Sequence, residues 1–130
     1  MPSKKIILIS LSLILFILFF VFILKPAHIS VVSSCNPEKF KTEYPTYHIE
    51  GSFGVDYAEN STEPILTTYL RDEEDIPTKR HEFVHLVQYR QNRLFSCKIP
   101  SLKLFNEVES YIGQYTPDKI FTLIYGDYRN

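Results

Sequence analysis

Residues 77–93 read PTKRHEFVHLVQYRQNR, and the fold turns on whether this run is a helix. Proline at the first position, with Asp75 or Thr78 near the cap, is how a helix starts. The run continues without a breaker to Arg93, so the spacing predicts a helix over 77–93. On it His81 and His85 stand one turn apart and project from one face, where two imidazoles can share a metal ion. Glu82 is rotated about 100° from His81, out of the same coordination sphere but within reach of a water beside it. Gln88 and Asn92 extend the histidine stripe, and Phe83, Val87 and Leu94 are expected to pack inward. The chain holds only four histidines, so two of them flanking a glutamate at this spacing is a specific signal.

Upstream of this helix the pattern is that of strands. Thr46–Tyr57, TYHIEGSFGVDY, alternates loosely and carries Gly51 and Gly54, which suits a strand or hairpin. Ala58–Pro64 reads as a loop, and Ile65–Leu70, ILTTYL, as a short strand rich in β-branched residues. The acidic run Asp72–Asp75 lacks the alternating ligands and glycine of a calcium loop and reads as a turn into the helix. Downstream, Cys97–Pro100 breaks the chain, a second helix is expected from Ser101 to Tyr115, and Thr116-Pro117 opens a short third helix, PDKIFTLIY. Strands first and helices after is an α+β order.

The N-terminus is a different material. Residues 6–24, IILISLSLILFILFFVFIL, are 19 uncharged positions, about the length that crosses the ~30 Å hydrocarbon core of a bilayer. The run exceeds the 7–15 residues usual for a signal peptide, and no small-x-small site follows at Lys25-Pro26-Ala27. It reads as an uncleaved membrane anchor, residues 1–25, rather than a signal sequence or a lipoprotein leader acylated at Cys35. Residues 26–45, with three prolines, read as a tether. Lys4 and Lys5 before the span against Lys25, Lys39 and Lys41 after it give a small charge asymmetry. Cys35 and Cys97, which would tend to pair outside the cytosol, favour an extracytoplasmic C-terminal domain.

With Lys4, Lys5 and Lys25 set aside, 11 basic residues face all 15 acidic ones. That balance gives no nucleic-acid surface. A domain of this size has a limited core, so a metal or a disulfide would help to hold it.

Two histidines do not complete a catalytic metal site, which takes three protein ligands and leaves a position for water. His28 and His48 have no spacing that predicts such a role. The second helix offers Asn106-Glu107-Val108-Glu109-Ser110, and Glu107 and Glu109 point about 200° apart. Leu104, Val108, Tyr111 and Tyr115 form an apolar stripe, widened by Leu102, Phe105 and Ile112. The two glutamates border it on opposite sides, and periodicity leaves either open as the ligand.

His81-Glu82-Phe83-Val84-His85 followed 21 residues later by Asn106-Glu107-Val108-Glu109-Ser110 resembles the gluzincin metallopeptidases, the thermolysin-like group. His85-Leu86-Val87-Gln88 is similar to the H-x-x-Q continuation of their smallest members, the minigluzincins. The resemblance covers about residues 62–115. It implies a small zincin-like domain over 46–130, built of a short β-sheet, the H-E-x-x-H helix and a glutamate helix. It implies Zn²⁺ held by His81, His85 and Glu107, with Glu82 as general base and a peptide or protein as substrate. It further implies that ILTTYL lies beside an extended peptide as an edge strand. The chain departs from the pattern at Tyr111, where thermolysin-like enzymes carry an aspartate that orients a zinc histidine. Glu109, Asn106 or another group is left to do so, and Glu109 is also the alternative ligand. Tyr111 and Tyr125 are the candidate oxyanion donors by residue type.

The expected function is therefore that of a single-pass zinc metallopeptidase, anchored in the lipid bilayer through residues 6–24. The alternative is a membrane-tethered zinc-binding, interaction or immunity-like domain without turnover. Glu82 speaks against a purely structural metal, which has no use for a general base.

Overall fold

The computed structural model describes residues 1–129, as helices with a small two-stranded sheet. Helix α1 (Lys4–Phe19), a wide turn at Phe20–Leu24 and helix α2 (Lys25–Cys35) form one helical rod of 32 residues, long and apolar enough to cross a membrane. Helix α3 covers Pro37–Glu43, strand β1 Gly51–Tyr57, strand β2 Pro64–Leu70, helix α4 Ile76–Arg90, helix α5 Pro100–Tyr115 and helix α6 Asp118–Tyr125. Strands β1 and β2 pair antiparallel, Gly51 opposite Leu70 and Tyr57 opposite Pro64.

The expected tether over 26–45 is helical over most of its length. Pro26 lacks an N–H and its ring crowds the carbonyl four residues back, which ordinarily kinks or ends a helix. Here the preceding turn widens, and the Lys25 N–H donates to Phe20 O five residues back, a π-type turn that absorbs the misfit. Pro37 starts α3 behind an Asn36 cap that accepts from the Lys39 N–H. Both prolines stand in the first turn of their helices, where a missing N–H costs nothing. The reason α2 is ordered is burial: Ala27, Ile29, Val31 and Val32 are all buried, and α2 packs along α5. Ile29 and Val32 form a small core with Phe40, against which Tyr44 packs.

Cys35 and Cys97 are disulfide-bonded across a separation of 62 residues, with Cα atoms 5.3 Å apart. The bond fastens the outer end of α2 to the loop before α5. A loop of that size contributes about 4 kcal/mol in the chain-entropy account. Cys35→Ser with Cys97→Ser is expected to destabilise the folded domain by up to ~4 kcal/mol, read as a lower urea midpoint in detergent. An unchanged midpoint would mean that the bond does not constrain the unfolded chain.

Helix α4 starts as expected at the Asp75 cap, whose carboxylate accepts from the Thr78 N–H at 3.2 Å and the Thr78 hydroxyl at 2.6 Å. It ends at Arg90, three residues before the expected Arg93. Asn92 adopts φ 55°, and the Arg93 and Asn92 N–H groups return to Gln88 O and Tyr89 O. That pair of bonds around a left-handed asparagine closes a helix, so Asn92 and Leu94 lie beyond α4 and do not extend its stripes.

The second core is Val84, Phe121 and Tyr128, joined by Phe83 and Tyr125. Helices α4 and α5 come close at Gly113, where an added Cβ would lie 2.8 Å from Val84 Cγ2. The face that α5 buries differs from the expected apolar stripe. Its buried residues are Asn106, Glu107, Ser110 and Gly113, while Phe105, Ile112 and Tyr115 are exposed. α5 packs on α2 as well as α4, and the polar face is the one turned to the histidines.

Candidate metal centre

Helix α4 buries His81, Glu82, His85 and Gln88 together. Helix α5 brings Glu107 to meet them. Glu107 Oε1 lies 3.3 Å from His85 Nε2, and Glu107 Oε2 lies 3.3 Å from His81 Nε2. The three ligand atoms fall within 4.8 Å of one another, all on buried residues. The two imidazoles stand 5.0 Å apart at 77°.

The group is built to face a positive charge. Glu107 Oε2 is buried, with His81 Nε2 at 3.3 Å and no hydrogen-bond partner. A buried carboxylate oxygen without a partner is costly, and a metal ion between the three side chains would satisfy it. The His85 ring is fixed by Gln88, whose Oε1 lies 2.9 Å from His85 Nδ1. Gln88 donates its own amide hydrogens to Asn106 O at 3.1 Å and to Glu109 Oε2 at 2.9 Å. The amide is thereby oriented with its oxygen toward the ring. It accepts from Nδ1–H and leaves the Nε2 lone pair free for a metal. Ser110 Oγ sits 3.3 Å from the same Nδ1 and donates to Asn106 O at 2.9 Å. Together these residues could hold a metal ion.

Electrostatics agree with the geometry. Burial would raise the Glu107 pKa, but the neighbouring His85 and His81 outweigh it and hold the carboxyl far below its ordinary range. Burial would lower the His85 pKa, yet the charge and bonding of Glu107, with lesser help from Glu82 and Gln88, raise it. Each of the two side chains thus favours the charged form of the other. Glu82 is raised by burial above the usual carboxylate value of 4.5, against the opposing pull of His81 and His85.

Glu107, not Glu109, meets the histidines. The Glu109 carboxylate is taken by Arg93, with bonds of 2.8 and 3.1 Å, by Gln88 and by the Tyr125 hydroxyl at 3.2 Å. It reaches His85 only through Gln88. The Asn106 side chain accepts from the Phe95 N–H at 2.7 Å and donates to Arg93 O at 2.8 Å, tying down the chain after α4. Its carbonyl, not its amide, serves the site. The orienting group is thus Gln88, the H-x-x-Q position, with Glu109 and Arg93 behind it. The sequence had placed Gln88 on the histidine stripe, and its three-way bonding is visible only once α5 is docked.

The centre lies in the wall of a cleft of about 490 Å³ lined by α2, the Tyr47–Phe53 segment, α4 and α5. Glu82 lines it beside His81 and His85. Tyr111 also lines it, with its ring 4.4 Å from that of His81 and its hydroxyl 3.1 Å from Ser30 Oγ. Tyr125 lies on α6, stacked on Phe121 and bonded to Glu109, away from the cleft lining. The strand along the cleft is β1, not the expected ILTTYL strand. β1 packs on α4, with Phe53 facing Tyr89, whereas six of the seven β2 residues are exposed. Gly51 crosses directly over Glu82, where an added Cβ would lie 2.8 Å from Thr78 Cγ2 and 3.0 Å from Glu82 Oε1. No family model matches the chain, and comparison with curated proteins and with solved structures gives no significant match.

Proposed function

We propose that the chain is a membrane-anchored zinc metallopeptidase of gluzincin type. The observation that carries this reading is the convergence of His81, His85 and Glu107 on one point of a cleft that Glu82 also lines. Two imidazoles and one carboxylate are a donor set suited to catalytic zinc. Bound zinc would supply a water acidified to a pKa near ~7 and a positive charge for a peptide carbonyl.

The chain's own residues do the rest. Glu82, with its pKa raised by burial, takes a proton from water in the cleft and passes it to the leaving amine. The Tyr111 hydroxyl, kept protonated because burial raises its pKa, donates to the developing oxyanion. An extended peptide lies beside the Tyr47–Phe53 segment, adding to the unpaired edge of β1. The Cys35–Cys97 disulfide fits an oxidising compartment and so an extracytoplasmic domain. The rod is exposed from Lys4 to Phe22, as an anchor in lipid would be.

The test is hydrolysis of a mixed peptide library by the full chain with zinc, alongside Glu82→Gln. Gly51→Ala probes the same step from outside the reacting groups. Its methyl presses on Thr78 Cγ2 and on Glu82 Oε1; a full misplacement near 1 Å costs on the order of 10²-fold in rate, so that factor is the upper bound for this smaller shift. The variant is expected to keep its metal while turnover falls by less than that factor. Full turnover in Gly51→Ala would mean that Thr78 yields to the methyl and the Glu82 carboxylate keeps its place.

A further inference from the structure

The cleft stands at a fixed height above the end of the apolar run. That run ends at Leu24, and the helix continues unbroken to Cys35. Pro26, Ile29, Ser30, Ser33 and Ser34 of this continuation form one wall of the cleft. Ser30 is six residues beyond Leu24, roughly 9 Å at 1.5 Å per residue. Ser30 Oγ lies 3.1 Å from the Tyr111 hydroxyl, whose ring packs 4.4 Å from that of His81. At the near end of the cleft, Tyr115 sets its ring edge-on to Phe22, inside the apolar run, at 6.2 Å.

The height is rigid. α2 is buried through Ala27, Ile29, Val31 and Val32, and its outer end is bonded to the α5 side by Cys35–Cys97. A flexible tether would let the domain roam above the surface; this rod does not. The headgroup layer is about 5–7 Å thick on each side of the hydrocarbon core. The metal centre therefore stands just above that layer, and a helix tilt of ~20° shortens the height by less than a tenth.

We infer that the substrates are membrane-inserted proteins, cut in the extended stretch within a few residues of the bilayer surface. The inference rests on the anchored-peptidase reading above. A peptide emerging from the bilayer enters the cleft from the Tyr115 end and is held there at high effective concentration. A soluble globular protein would have to bring a loop within ~10 Å of the hydrocarbon, against the headgroups.

The test uses the full chain in phosphatidylcholine vesicles and has two readouts. The chain contains no tryptophan, so Tyr115→Trp and Phe95→Trp each carry a single tryptophan that can be excited selectively, at the near end and the Cys97 end of the domain. Brominated phosphatidylcholine is expected to quench Tyr115→Trp and leave Phe95→Trp unquenched. Equal quenching of the two, or none at Tyr115→Trp, would overturn the proposed height whatever the activity. The second readout is cleavage of a single-span reporter peptide with a 30-residue randomised flank, its products mapped by mass. Cuts are expected within about five residues of the span, since an extended chain covers ~3.3 Å per residue. The same flank without its span is expected to be cut at least tenfold more slowly. Equal rates with scattered cuts would overturn the substrate class and leave the peptidase reading standing. No cleavage of either reporter, with Tyr115→Trp still quenched, would mean that the peptidase reading has failed and the substrate class with it.

Discussion

Full-length protein purified with zinc present will carry about one zinc per chain, and Glu107→Ala and His85→Ala will lose it while Glu109→Ala keeps it. The expectation follows from which carboxylate the helices bring to the histidines. Glu107 lies 3.3 Å from both Nε2 atoms, whereas Glu109 is held by Arg93, Gln88 and Tyr125. Gln88→Ala removes the acceptor for His85 Nδ1 and is expected to weaken zinc binding by roughly 10–100-fold, the usual effect of a supporting partner. Zinc lost from Glu109→Ala but kept by Glu107→Ala would reverse the assignment.

Proton competition gives this site a defined pH dependence. The His85 pKa is raised above its ordinary value of 6.5 in the metal-free fold. The stability that its proton contributes is therefore full below that value and is lost as pH rises through the folded pKa. The depressed Glu107 acts in the opposite sense: its contribution is present above the ordinary 4.5 and is lost as pH falls through its much lower folded value. Zinc affinity is expected to rise with pH through the His85 transition, because the metal replaces that proton. The metal-free chain loses stability over the same range. Isothermal titration with zinc at pH 5.5, 7 and 8.5 would read this; affinity that is flat with pH would exclude His85 as a ligand.

Glu82→Gln is expected to retain zinc and to lower peptide hydrolysis by about 10²–10⁴-fold, the range for loss of a general base. The substitution preserves size in a residue that is 4% exposed, so the effect isolates proton transfer. The amide also removes the titrating carboxyl whose pKa burial raises, so the acidic limb that persists at saturating zinc should go with it. Unchanged hydrolysis in Glu82→Gln would remove the proposed mechanism. Loss of zinc in this variant would instead make Glu82 part of the metal's own support.

The α4 helix, its Asp75 cap, the hairpin strands and α5 with α6 are all legible in local pattern, because capping, β-branched content and proline position act over a few residues. The histidine pair is legible for the same reason, since one helical turn sets its spacing. The helical order of residues 26–45 is the part least legible in local pattern. Proline looks like a breaker until a wide turn and a buried face compensate for it, and that burial depends on α5, some 70 residues away. The apolar stripe of α5 misled in a related way. A helix packed on two sides buries a polar face toward the site and leaves Phe105 and Ile112 exposed.

The sequence by itself determined that a chain with a 19-residue apolar run carries a helix with two histidines and a glutamate on it. It also offered two glutamates on a later helix and could not choose between them by periodicity, since both border the same arc. Only the tertiary structure decided that Glu107 turns to His81 and His85 and that Gln88 orients His85. The same packing lays α2 along the cleft. The Glu107 contacts join residues at least 22 apart, and Gln88, only three residues from His85, has its amide turned by bonds to Asn106 and Glu109 on α5; such arrangements are fixed by how the faces of whole elements pack rather than by the residues next to them in the chain.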